Sequence, residues 1–179
     1  MNANALQAAN ERAKRVKLMI FDVDGVLTDG GLRYGADGEV LKTFNVLDGH
    51  GIKMLQQSGV KAAIISARDS AIVAKRAADL GIAVLKQGVH DKRAAFEQLL
   101  AELQLTANDA GFMGDDVIDL PVMTRVVFAA SVPTAHHEVR SRAHYVSQAN
   151  GGQGAARDVC DFILHAQGNY EAALAPYLA

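Results

Sequence analysis

Apolar positions along the chain fall into two kinds of pattern. Short, nearly continuous apolar runs occupy 17–22, 60–66, "IAVLKQ", "AGFMGD", "VVFAAS" and "HYVS". Between them, apolar residues recur at helical spacing in 3–15, 48–58, "SAIVAKRAADLG", "DKRAAFEQLLAELQL", "DLPVMTRV", 135–142 and "AARDVCDFILHAQ". Gly81 closes the third of these segments. Strands that are apolar at every position and alternate with helices predict a parallel sheet covered on both faces, a doubly wound α/β fold of the Rossmann-like kind. Residues 32–45, "LRYGADGEVLKTFN", break the alternation and predict a projecting β-hairpin, with Asp37-Gly38 as its turn.

The pattern contains no repeat, and residues 1–179 are expected to form a single domain. The one linker-like stretch, "ANGGQG" at 149–154, lies too near the end to divide two domains and opens a helical tail over 149–179. A net charge of −2 gives no general attraction for nucleic acid or acidic membranes, and no apolar stretch approaches the roughly 18 residues that span a bilayer. The first residues lack the apolar segment of a secretory signal, and Cys160 stands alone in an apolar helical setting. Both point to a reducing cytoplasm and a cysteine that packs rather than reacts.

Sheets of this kind bind ligands beyond the carboxyl ends of their strands. Asp22 ends the first strand and Asp24 follows two residues later; Ser66 ends the second; Asp115 and Asp116 follow the fourth; Lys92 opens the helix after the third. Carboxylates beside a core strand repel each other and lose hydration unless something compensates. Several around one point suit a hard cation such as Mg²⁺, which prefers few protein carboxylates plus water and phosphate oxygens. One ionised acid can then attack phosphorus, and a second in a different environment can keep a proton for the leaving group. Lys92 and the Ser66 hydroxyl would hold the phosphoryl oxygens. Each piece has a bland reading by itself; their order and shared edge favour the catalytic one.

The stretches "FDVDGVLTDG", "IIS", "DK" and "GDDVIDLPVM" resemble, in order, the four motifs of haloacid dehalogenase superfamily phosphatases. The likeness runs from residue 16 to 167 and is greatest to the capless branch, whose members act on acidic keto-sugar phosphates such as 3-deoxy-D-manno-octulosonate 8-phosphate. It is carried by "DGGLRYGADGEVLKTFNVLDGHGIKML", "ISAR", "AKRAADLGI", "QGVHDK" and "GGQGAARDVCDFILHAQG". The resemblance implies that Asp22 is nucleophile and metal ligand. It makes Asp24 the acid/base, binding metal through its main-chain carbonyl, and Asp115 the remaining ligand. Substrate contacts are implied for Asp24, Asn45, Val46, Leu47, Asp48, Gly49, Lys53, Arg68, Arg76 and Lys92. It further implies lipopolysaccharide biosynthesis and a homotetramer. Three positions depart from the family: Leu47 and Lys53 replace arginines, and Ser66-Ala67-Arg68 replaces Thr-Gly-Arg. The hydroxyl survives, but a bidentate carboxylate contact at 47 does not, which leaves a nonulosonate 9-phosphate or another sugar phosphate open.

Residues 23–65 and 67–91 leave no room for the cap domain with which a phosphomutase excludes water. A non-catalytic relative would be expected to have lost Asp22, Asp24 or Lys92. His136-His137 predict a solvated helix start rather than a metal site. Gly151, Gly152 and Gly154 fit either a phosphate-cradling turn or a flexible joint, and Asp119 either orients metal-bound water, caps a helix or faces solvent. Leu32, Tyr34, Val40, Leu41 and Phe44 give the hairpin more apolar surface than a lone ribbon buries. Hairpins packed together in a tetramer would bury it and cover each neighbour's site, with residues 150–154 as a second lid.

Overall fold

The computed structural model describes residues 3–178. Six parallel strands form one sheet in the order β5-β4-β1-β6-β7-β8. They are β1 (Leu18–Phe21), β4 (Lys61–Ile65), β5 (Val84–Lys86), β6 (Ala110–Met113), β7 (Phe128–Ser131) and β8 (Tyr145–Val146). Every residue of β1, β6 and β7 is buried, as continuous apolar runs require of strands covered on both faces. The helices are α1 (Ala3–Ala13), α2 (Val46–Gln57), α3 (Ala71–Asp79), α4 (Lys92–Leu103), α5 (Leu120–Met123), α6 (His137–Arg140), α7 (Ala155–Ala166) and α8 (Tyr170–Leu174). One helical group of α1, α2 and α7, and another of α4 and α5, flank the sheet. Phe21, Phe112 and Phe128 sit wholly buried between them.

Caps explain several boundaries. Asn45 accepts from Leu47 N at 2.8 Å and starts α2 two residues earlier than apolar spacing alone predicts. Asp91 accepts from Ala94 N at 3.0 Å and starts α4 at Lys92. Gln104, in the left-handed conformation at φ 55°, ends that helix. Short α8 carries no long apolar stripe, and the sequence pattern passes over it.

Between β1 and α2 the chain forms a two-stranded antiparallel hairpin, β2 (Arg33–Gly35) with β3 (Gly38–Leu41). Its turn is Ala36-Asp37, one residue before the pair expected from the sequence. Gly38 instead opens β3 at φ 120°, and Gly35 pairs with it. Among the described residues, no further folding unit is inserted between the strands.

Register sets the level of the functional edge. Phe21 lies opposite Ile64 on one side and Met113 on the other, so β1 and β6 finish level and β4 one residue beyond them. Asp22 N continues the ladder to Met113 O at 2.9 Å, and Ser66 N does the same to Lys86 O at 2.9 Å. The residues next along each chain are therefore delivered side by side at the C-terminal edge, next to the central strand where the order of connections reverses.

Candidate active site

Asp22, Asp24, Ser66, Arg68, Asp115 and Ile118 line a cavity of about 240 Å³ at this edge. A larger groove of about 490 Å³ lies among Lys14, Lys17, Gly59 and Gln167; no carboxylate lines it, and its lysines pair with Glu11 and Asp109. The acid-lined cavity is the one with reactive groups.

Lys92 Nζ lies 2.9 Å from Oδ1 of the cavity's Asp22 and 2.7 Å from Asp119 Oδ1, and all three side chains are almost wholly buried. The other oxygen of Asp119 accepts from Asp115 N at 3.0 Å and Asp116 N at 3.3 Å. Asp119 therefore has neither a solvent role nor a free oxygen: it holds Lys92 upright and ties the turn after β6. The Ser66 hydroxyl, also buried, accepts from Arg68 N at 3.3 Å.

The electrostatics are those of an acid cluster short of positive charge. Burial, reinforced by Asp119, pushes the Asp22 carboxyl up to about 7 despite Lys92. Burial and the charges of Asp22, Asp119 and Asp116 push Asp115 to about 7 as well. Carboxylate oxygens of Asp22, Asp115 and Asp119 lie within 4.8 Å of one another. With Asp119 committed to Lys92 and two amides, Asp22 and Asp115 are the acids left to bind a hard cation. That donor set fits Mg²⁺, whose charge would offset the burial and the repulsion that raise both acids.

Asp24 is treated differently. Its Oδ1 is ion-paired with Lys42 Nζ and its Oδ2 lies 3.5 Å from Arg68 Nε. The Asp24 carboxylate is thus held by two cations, one from the foot of the hairpin and one from the loop after β4. Lys42 also meets Glu39 at 2.9 Å, Glu39 accepts from Ser70 Oγ at 2.8 Å, and Arg68 donates to the Tyr34 hydroxyl at 2.5 Å. This network of hairpin residues around Asp24 escapes sequence reasoning. A lysine beside a surface ribbon is ordinarily solvated, and only the folding of the ribbon onto the sheet edge buries it.

The remaining candidate residues form a second group beside the cavity. Arg76 donates to Asn45 O at 3.1 Å, with its guanidinium 5.7 Å over the Phe44 ring and packed where Gly49 has no side chain. Asp48 is buried and accepts from Gly154 N at 3.3 Å and Arg157 N at 2.9 Å. Val46, Leu47 and Lys53 are exposed. Within one chain, then, Asp24, Ser66, Arg68 and Asp115 meet around Asp22 and Lys92, while Asn45, Val46, Leu47, Asp48, Gly49, Lys53 and Arg76 do not line that cavity.

The glycine-rich segment is neither a free joint nor an open anion cradle here. Gly152 N donates to Val26 O at 2.9 Å, and a side-chain carbon at Gly151 would overlap the Gly25 carbonyl. The segment is a backbone wedge against the loop that carries Asp24. His136 and His137 form the exposed helix start expected of them, and Cys160 is buried in α7.

Residues 79–158 match the family described as haloacid dehalogenase-like hydrolase. The chain is 46% identical over 163 residues to the 3-deoxy-D-manno-octulosonate 8-phosphate phosphatase of Yersinia pestis, across 91% of this chain and 87% of that one. It superposes with TM-score 0.94 and 53% identity on a probable YrbI family phosphatase from Pseudomonas syringae, covering 97% of this chain and 98% of that one. A crystal structure of the octulosonate phosphatase of Moraxella catarrhalis, in complex with magnesium, phosphate and KDO, gives TM-score 0.93 and 39% identity over 98% and 99% of the two chains.

Proposed function

The chain belongs to the haloacid dehalogenase-like hydrolases, and from that premise we propose that it is a Mg²⁺-dependent phosphomonoesterase acting on 3-deoxy-D-manno-octulosonate 8-phosphate. The observation that carries the reading is the buried Asp22–Lys92–Asp119 assembly opening on a cavity with Asp115 and Asp24. Asp22, Asp115 and the Asp24 carbonyl would hold the cation, which supplies charge neutralisation for the phosphoryl oxygens when bound.

An Asp22 carboxylate oxygen attacks phosphorus and forms an acyl phosphate as the phosphorus–oxygen ester bond breaks. The departing sugar oxygen takes the proton held by Asp24. Lys92, fixed between Asp22 and Asp119, and the Ser66 hydroxyl face the negative charge on the phosphoryl oxygens. Water then attacks the acyl phosphate at phosphorus and gives its proton to Asp24, which releases inorganic phosphate and restores Asp22. Arg68, at the cavity wall, is the guanidinium placed to meet the substrate's carboxylate. Arg76 and 45–49 complete the sugar site only where a neighbouring chain brings them over a cavity.

That arrangement is part of the proposal: a homotetramer, supported by exposed Leu32, Tyr34, Val40 and Leu41 on the hairpin. Activity in the cytoplasm is supported by the lone, buried Cys160. Phosphate release measured over a panel of sugar phosphates, with and without Mg²⁺, tests the reading. Turnover is expected to be greatest on the eight-carbon keto-acid phosphate and lost with chelator. Preference for neutral hexose phosphates would overturn the substrate, and preference for a nonulosonate 9-phosphate would reassign it.

A further inference from the structure

Lys42 is the least solvated cation outside the Asp22 cluster among the ion pairs of the described residues, with 2% of its side chain exposed. It stands at the foot of the hairpin, directly after β3, and its ammonium faces two carboxylates: Asp24 Oδ1 and Glu39 Oε1. Glu39 is itself held by Ser70 Oγ on its other oxygen and lies 3.6 Å from Arg68. An ammonium taken out of water costs several kcal/mol unless it is well paired, and an apolar side chain would anchor a hairpin at least as well. Packing alone therefore does not account for an ionic anchor here, and of its two carboxylate partners the one that lines the cavity is Asp24.

We propose that Lys42 is a positioning residue: by gripping Asp24 Oδ1 it holds the acid/base side chain off the cation site and turned to the leaving oxygen, and so builds the hairpin into each chain's own catalytic site. This rests on the phosphatase reading, which the parent's Mg²⁺-dependent turnover tests by itself. Without the ammonium, the Asp24 carboxylate is free to swing toward Asp22 and Asp115, where a cation would capture it. The hairpin would then serve two ends at once, its outer apolar face for assembly and its foot for proton transfer.

Lys42→Met keeps the stem and removes the charge. On the best sugar phosphate, kcat is expected to fall about 30-fold with KM changed less than about threefold. On 4-nitrophenyl phosphate, whose leaving group needs little protonation, the loss is expected to be about tenfold smaller. In an Asp24→Asn background the same substitution is expected to add less than about threefold, because both changes act through one carboxylate. Equal losses on the two esters, or a full further loss in the Asp24→Asn background, would make Lys42 a structural anchor only and overturn the proposal. No loss at all would overturn it too. If Lys42→Met does not fold, Lys42→Gln, which removes the charge and shortens the reach to Asp24, is expected to show a smaller but still unequal loss, and equal losses there count against the proposal in the same way.

Discussion

Asp22 sits where its own charge is least welcome, buried beside Asp115 and Asp119 with Lys92 and the Val23 N–H to offset them. Asp22→Asn removes one charge from that crowd and preserves shape, so the variant is expected to melt no lower than the parent. Its turnover should be essentially gone, because an amide cannot form the acyl phosphate; near-parental kcat would show that Asp22 is not the nucleophile. Asp24→Asn should retain the main-chain carbonyl and lose the proton. Its kcat on the sugar phosphate is expected to drop by about 100-fold or more, and on 4-nitrophenyl phosphate by much less. The same crowding has a pH signature. Asp22 and Asp115 titrate near 7 in the folded, metal-free chain and near the ordinary 3.8 once unfolded. The folded state therefore holds more protons between about 4 and 7, and its stability falls as pH rises through that window. Mg²⁺ relieves that loss, so the thermal shift caused by Mg²⁺ should grow from pH 5 to pH 7.5 and level off above. A shift that shrinks over that range would mean that these acids are not the ones the cation meets.

At the level of elements, the site depends on how one loop is clamped. Gly25 takes φ 86° and leaves no room for a side chain beside the Asp115 carboxylate, while Gly151 and Gly152 press on the backbone of the same loop from the other side. Gly151→Ala is expected to cost about 1–3 kcal/mol by overpacking and to lower kcat on both esters together, since it moves the loop rather than the proton. Unchanged melting and kcat would show that the wedge yields freely. This clamp also marks where sequence reasoning reaches its limit. Strand ends are legible because a buried strand is apolar throughout and its first polar residue must emerge at an edge, which is how Asp22, Ser66 and Asp115 declare themselves together. The clamp between 25–29 and 150–154, and the grip of Lys42 on Asp24, join segments remote in the chain or hidden behind an ordinary surface pattern. Nothing local distinguishes a glycine that wedges from one that flexes, or a buried lysine from a solvated one. The cap box of Asp116 and Asp119 shows the same limit, since only the fold reveals that Asp119 spends both oxygens internally.

For the whole molecule, coverage of the site turns on two groups of residues that the fold of one chain keeps apart. The cavity with Asp22 and Asp115 lies at the sheet edge, while Asn45 and Asp48 meet the glycine wedge and the start of α7, and Arg76 lies against Asn45 and Phe44. A small sugar phosphate in one chain alone would meet phosphate-binding groups and Arg68, with much of the sugar left in water, where charge contacts are weak. In the proposed tetramer the exposed apolar residues would supply the missing wall: Val40 and Leu41 on the hairpin, and Val46 and Leu47 at the start of α2, are about half to three-quarters exposed. Packing those faces between copies would bury apolar area, and the proposed tetramer would bring the start of one α2 toward another chain's cavity. Light scattering coupled to size exclusion is expected to give a particle of four 19.0 kDa chains. The pair Val40→Glu and Leu41→Glu, placed on the exposed hairpin, should shift it to monomers that keep their fold. Those monomers should lose most of kcat/KM on the sugar phosphate and much less on 4-nitrophenyl phosphate, which needs no sugar site. Monomers that turn over the sugar phosphate at the parental rate would show that each chain's cavity is sufficient and that the apolar hairpin face serves another end.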